Sequence, residues 1–210
     1  SELSGWEDWF LRSGEKKSLG EAFSTEGFRY MNFMPDPGPD WQLKDLDFDR
    51  DYKRLGLMES IYASNNPDLR KFKAAGGKLL VYQGMNDVPI PPQNIIDYYE
   101  TVEKTMGGRK ETQDFFRLFL IPGMNHCSGG DGAYAIDYLS HLEAWVEQNK
   151  APNKMIAANL KDGPADTGDK FPLDLDSIKF TRPVFPYPVR AKYTGSGDAN
   201  DASNFIPVEP

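Results

Sequence analysis

The chain of 210 residues holds a single cysteine and only two histidines. One cysteine excludes any disulfide within the chain. Two histidines, His126 and His141, leave few candidates for proton transfer near neutral pH or for imidazole ligation of a metal. Positive charge is also short: 24 Lys and Arg stand against 32 Asp and Glu, a formal net charge of −8. With no basic stripe and no interleaving of aromatic with basic residues, that balance argues against nucleic acid and against an anionic membrane surface as partners. No apolar run approaches the roughly 20 residues that a helix needs to cross a bilayer. The opening residues, Ser1-Glu2-Leu3-Ser4-Gly5-Trp6, do not form a signal peptide and read as the middle of a protein. No Gly-x-Ser-x-Gly occurs, so the strand-turn-helix elbow that presents a nucleophilic serine is missing.

What is present is a chain long enough for one sizeable domain, rich in Gly (19) and Pro (16). Composition divides it into three parts. Residues 1–66 carry scattered aromatics between Gly, Pro and Asp, and the run Met34-Pro35-Asp36-Pro37-Gly38-Pro39-Asp40 reads as a turn cluster. Asp45, Asp47, Asp49 and Asp51 alternate as in a calcium loop, but the Gly and Glu that such a loop needs are missing. A solvated acidic connector is expected there, followed by the end of a short helix at 59–63. Residues 67–150 give the clearest pattern: a short helix opened by Pro67 and closed by Gly76-Gly77, an apolar strand at 78–83, a turn, a helix at 94–106 closed by Gly107-Gly108, a second buried strand at 115–121, a Gly-rich loop, and a helix at 134–149. Apolar strands alternating with helices predict an α/β fold with parallel strands covered on both faces. Two strands make no stable sheet, so further polypeptide is expected to complete it. Residues 151–210 read as an irregular wrap on that core, with short strands at 177–181 and 191–193 only.

The residues that could carry chemistry lie beyond the two strands. Asp87 follows the first and His126 the second, in the loop Pro122-Gly123-Met124-Asn125-His126-Cys127-Ser128-Gly129-Gly130. In open α/β sheets, ligands and catalytic groups sit past the carboxyl ends of parallel strands, and adjacent strands would bring these two side chains within reach. A carboxylate on one such turn and a histidine on the next is the acid and base of a hydrolase triad in the order Ser, Asp, His. Each also has a plain reading, Asp87 as a turn or cap residue and His126 as a loop histidine. His141, within the last helix, reads as a structural or surface residue. Gly195-Ser196-Gly197 follows no apolar strand and precedes no helix, and Ser128 is too near His126 to be the elbow serine. A metal held by His126, Asp87 and Cys127 is disfavoured, because adjacent residues diverge and no second histidine is near. A non-catalytic binding module of the same fold stays open beside the enzyme reading.

Longer motifs narrow the choice. The runs Asn66-Pro67-Asp68-Leu69, Gly76-Gly77-Lys78-Leu79-Leu80 and Tyr82-Gln83-Gly84 with Asp87 and Pro91-Pro92, the stretch Phe116 through Gly130, Leu142-Glu143-Ala144-Trp145-Val146-Glu147, and the tail from Arg182-Pro183 to Asn204-Phe205 resemble the tannase and feruloyl esterase family. The resemblance covers about residues 45–208. It implies a secreted or periplasmic serine esterase of α/β-hydrolase fold, acting on aromatic-acid esters, of which this would be the C-terminal portion. By that resemblance Asp87 is the triad acid and His126 the base. Residues 1–66 are lid-derived or connecting, 67–150 are the core segment with acid and base, and 151–210 pack on the core. Cys127 matches a cysteine that in the family is disulfide-bonded beside the nucleophile, here a partner outside the chain. No cofactor is implied, since the family's lid calcium would lie outside these residues. The expected partners are the ester substrate and the remainder of the polypeptide, with a homo-oligomer as a way to cover exposed apolar surface. Phe185 and Pro207 stand where the family often has a further cysteine pair.

Overall fold

The protein is described by a computed structural model over residues 6–11, 17–164 and 170–210. It forms two compact units, divided between Asn66 and Pro67. The first contains helices α1 (Trp6–Trp9), α2 (Leu19–Gly27), α3 (Phe48–Asp51) and α4 (Gly56–Tyr62), and no strand among its described residues. Its small core is an aromatic knot. Phe28, Phe33 and Trp41 meet with ring centroids 5.0–5.8 Å apart, and the Arg54 guanidinium lies 4.2 Å over the Phe33 ring. The acidic stretch is only in part the solvated connector expected from its alternation: Asp45, Asp47 and Asp49 are exposed, but Asp51 is not. Asp47 caps α3 by accepting from the backbone N–H groups of Asp49 and Arg50. Asp51 is fully buried and paired with Arg50 and Arg54. Hydrogen bonds from Arg50 hold the Asp51 carboxyl well below the usual carboxylate range.

The second unit begins with α5 (Arg70–Ala74) and strand β1 (Leu79–Gly84). Helix α6 (Pro92–Met106) crosses over, short α7 (Arg109–Gln113) follows, and β2 (Phe116–Ile121) returns parallel to β1. Pro92 starts α6 two residues before the expected 94, and a left-handed Gly107 closes it where the sequence predicts. The register runs from Leu79 opposite Phe116 to Gly84 opposite Ile121. Side chains of β2 alternate between two core clusters. Phe116 and Leu118 pack with Tyr99 and Val102 of α6, while Phe119 and Ile121 pack on the other face with Met155, Ala157 and Val184.

Two expectations need correction. The final helix of the 67–150 segment, α8 (Tyr138–Gln148), starts at the cap Asp137 rather than at 134. Residues 133–136 are buried and extended instead, with the Tyr134 and Ala135 amides both donating to the Ala158 carbonyl. Their apolar side chains serve a bridge to a strand, not a helix face. The segment 151–210 is also more regular than expected. It forms β3 (Met155–Leu160), antiparallel to β4 (Ile178–Val184), and β5 (Arg190–Tyr193), antiparallel to β6 (Phe205–Val208). Strand β3, Met-Ile-Ala-Ala-Asn-Leu, is poor in β-branched and aromatic residues, so its composition hides it. The segment after β4 runs along the far edge of β2, where the Tyr187 N–H donates to the Leu118 carbonyl at 2.8 Å. Tyr187 is pinned there by its hydroxyl, which donates to Glu100 of α6 at 2.8 Å.

Candidate active site

Asp87 and His126 stand on the turns that leave β1 and β2. The Asp87 turn is local: its own N–H donates to the Gly84 carbonyl at 3.2 Å, and Oδ1 accepts the Ile90 N–H at 3.0 Å. Asp is favoured in such a turn for this side-chain acceptance. The turn therefore fixes one carboxylate oxygen and leaves the other, Oδ2, facing the next strand end.

The His126 loop is built from short backbone bonds. Asn125 N–H donates to the Gly129 carbonyl, Ser128 N–H to the His126 carbonyl and Gly132 N–H to the Gly123 carbonyl, at 2.8–3.1 Å. Cys127 has a left-handed φ of 64°, which turns the chain just after the histidine. Two ties anchor the loop to its surroundings. Asn86 N–H, in the Asp87 turn, donates to the Met124 carbonyl at 2.9 Å. Asn159 of β3, itself buried, donates from Nδ2 to the Gly132 carbonyl at 2.6 Å and to that of Gly130 at 3.3 Å. The first tie depends on Gly84: a Cβ there would overlap the carbonyl oxygens of both Met124 and Asn125.

The outcome is a close pair. His126 Nδ1 lies 3.0 Å from Asp87 Oδ2. A carboxylate only accepts, which puts the ring proton on Nδ1 and makes Nε2 the nitrogen available for proton exchange. The Asp87 side chain is 5% exposed and that of His126 37% exposed, so the carboxylate is shielded while the ring reaches the surface. Gln83 donates to the same Oδ2 at 2.8 Å. Beside the loop, Tyr82 of β1 stacks on Tyr138 of α8 with centroids 4.0 Å apart. Burial first, and the neighbouring Cys127 second, push the Tyr82 phenol above its ordinary range.

Of the residues singled out in the sequence, the structure therefore brings Asp87 and His126 into hydrogen-bond contact and leaves Cys127 exposed and unpaired beside them. His141 sits on α8 within the helix whose N-terminus Asp137 caps, and Ser196 lies in the turn between β5 and β6. Among the described residues no group of three or more His, Cys, Asp or Glu side chains is arranged to hold a metal. Gln83 and Asn159 were not legible as members of the site. Gln83 stands in the family-like run Tyr82-Gln83-Gly84 but with no role that the run itself gives it, and Asn159 stands in no motif. Gln83 meets the Asp87 carboxylate and Asn159 the loop carbonyls only once the turns are folded.

A family model described as "Tannase and feruloyl esterase" matches residues 3–208. The chain is 34% identical over 224 residues to the mono(2-hydroxyethyl) terephthalate hydrolase of Piscinibacter sakaiensis, covering 98% of this chain and 35% of that protein. It is 40% identical over 150 residues to a probable feruloyl esterase of Arthroderma benhamiae, covering 70% of this chain and 26% of that one. The crystal structure of feruloyl esterase B from Aspergillus oryzae superposes with a TM-score of 0.74 at 26% identity, over 99% of this chain and 40% of the other. The chain thus spans roughly a third of the length of the curated relatives it matches. The solved structures it matches are esterases, and the parallel strand pair with its covering helices is part of an α/β-hydrolase fold.

Proposed function

Since the chain belongs to the tannase and feruloyl esterase family, we propose that it carries the acid and base of a serine-dependent carboxylic ester hydrolase acting on esters of aromatic acids. The observation that supports this most directly is the 3.0 Å contact between His126 Nδ1 and Asp87 Oδ2 on successive strand-end turns. In this reading Asp87 holds the imidazole in one tautomer, and His126 Nε2 takes the proton of a serine hydroxyl as the serine oxygen attacks the ester carbonyl. Asp87 stabilises the imidazolium, which then returns the proton to the leaving alcohol. Water, activated by the same ring, releases the acid from the acyl-serine.

The serine and the oxyanion donors belong, in this proposal, to the remainder of the polypeptide, so the 210 residues alone are inactive. The absence of an elbow motif and the fraction of the relatives' length covered both support that division. Cys127, exposed and next to His126, is assigned to a disulfide with a cysteine beside that serine, which would tie the base loop to the nucleophile. Such a bond fits a secreted or periplasmic enzyme. The aromatic acyl class rests on relatives named for terephthalate and feruloyl esters.

The test is hydrolysis of methyl ferulate and methyl gallate by the longer polypeptide that contains this chain. Asp87→Asn and His126→Ala should each lower kcat on the order of 10⁴-fold, the scale seen when triad members are removed. Full activity in the His126→Ala protein would end the proposal.

A further inference from the structure

The Asp87 carboxylate is shared between two side chains, and the second is Gln83. Its Nε2 lies 2.8 Å from Oδ2, the oxygen that His126 Nδ1 approaches at 3.0 Å. The same Nε2 faces the carbonyl oxygens of Ile90 at 3.3 Å and Gly84 at 3.4 Å. All three neighbours accept, so the amide nitrogen, not its oxygen, has to be the end turned toward them. The Ile90 N–H holds the other carboxylate oxygen. With Oδ1 tied to the turn and Oδ2 to a side chain of β1, the carboxylate plane is held by groups on both sides of the bend.

Strand alternation sharpens the case. Gln83 shares its face of β1 with Leu79 and Val81, which pack into the apolar cluster beneath α6. A half-buried amide at the end of an apolar face loses water and needs partners that repay it. Here those partners are the acid and its turn.

We propose that Gln83 is a positioning residue of the active site, acting through Asp87 to hold His126 in line, and the proposal rests on the reading of Asp87 and His126 as acid and base. The amide fixes the direction of Oδ2 and takes a share of its charge. The imidazole then meets an acceptor that cannot turn aside.

Two substitutions in the enzyme that contains this chain test it. Gln83→Met keeps length and removes the donor. Gln83→Glu keeps shape and replaces the donor with a second carboxylate facing Asp87. Loss of a hydrogen bond to a charged group corresponds to about tenfold or more in rate, so Gln83→Met should lower kcat about tenfold on methyl ferulate with KM unchanged. Gln83→Glu should lower it further, because two carboxylates repel at hydrogen-bond distance. A packing role predicts the opposite order, since Glu is closer to Gln in shape than Met is.

The ¹⁵N shifts of the His126 ring supply a readout without turnover. In both variants they should move toward averaged tautomers while those of His141 stay fixed. Unchanged kcat, a Glu variant milder than the Met variant, or unmoved His126 shifts in either folded variant would each overturn the proposal. Moved ring shifts in an enzyme that Asp87→Asn leaves active would sink the catalytic reading and leave the clamp standing. Unmoved shifts in an enzyme that Asp87→Asn disables would sink the clamp alone.

Discussion

Strands β1 and β2 lie side by side in matched register, yet they are buried very differently. In β2, Phe116, Leu118 and Phe119 are wholly inaccessible, whereas no residue of β1 before Gly84 is fully buried. Both sequences are apolar enough to be read as central strands. The difference lies in their far edges. Pro186 forms a bridge to Phe119 and Tyr187 bonds to Leu118, so β2 has neighbours on both sides. Among the described residues no strand pairs with the other edge of β1. Apolar sequence sets which residues become strands, but edge pairing sets how rigidly each is held. The proposed base hangs from the strand held on both sides. The proposed acid hangs from the strand held on one, and there a side-chain amide and a tight turn supply the rigidity that pairing does not.

The register partners Phe119 and Tyr82 give the strongest test of that contrast. Phe119→Ala removes a fully buried ring from the core shared with β3 and β4 and should cost about 3–5 kcal/mol of stability. Tyr82 is 36% exposed and keeps mainly its stack on Tyr138. Tyr82→Ala should therefore cost less than about half as much. Chemical unfolding of the two variants measures both. Equal losses would mean that the outer side of β1 is covered as fully as that of β2.

A second contrast sets Gly84, the last residue of β1, against Gly76, which precedes the strand. Gly84 has no room for a side chain, because the Met124 and Asn125 carbonyls press against it. Gly76 has open space but a φ of +77°, which other residues adopt at a cost. Gly84→Ala should cost about 1–3 kcal/mol through overpacking, and should displace the His126 loop. Gly76→Ala should cost about 1 kcal/mol and leave the loop unmoved. Amide exchange at Asn86, whose N–H bonds to the Met124 carbonyl, separates them: faster exchange is expected only in the Gly84 variant.

These particulars explain what was legible in the sequence. The order of strands, turns and helices over 67–150 could be read because Gly and Pro bound each apolar run, and the strand ends then brought Asp87 and His126 together. Gln83 could not be read, since a polar residue ending a strand has no meaning until the Asp87 turn folds back over it. Asn159 was hidden twice, in a strand of weak propensity and by partners that are loop carbonyls rather than side chains. The acidic run misled for a related reason: alternation gives no sign that Asp51 points inward to two arginines. Short-range punctuation is written in residue types, whereas side-chain to backbone ties across the fold are written in geometry.

The smallest expected effect tests the boundary between the His126 loop and α8. Asp137 accepts from the Ser140 N–H at 3.1 Å and from the Ser140 hydroxyl at 2.6 Å, capping the helix. Those two bonds from Ser140 hold its carboxyl below the usual range. Asp137→Ala should cost about 1 kcal/mol at neutral pH, the usual value of such a cap. Because the folded-state value is lowered, the contribution is complete above the unfolded carboxyl's pKa of about 3.9 and fades as pH falls through the folded value. The stability gap between parent and variant should accordingly shrink toward acid. Strand β2 is already fixed at its far edge by Tyr187, so His126 should keep its contact with Asp87 in this variant. Movement of the His126 ring resonances in the Asp137→Ala protein would show instead that the helix start, and not only the strand, holds the base in place.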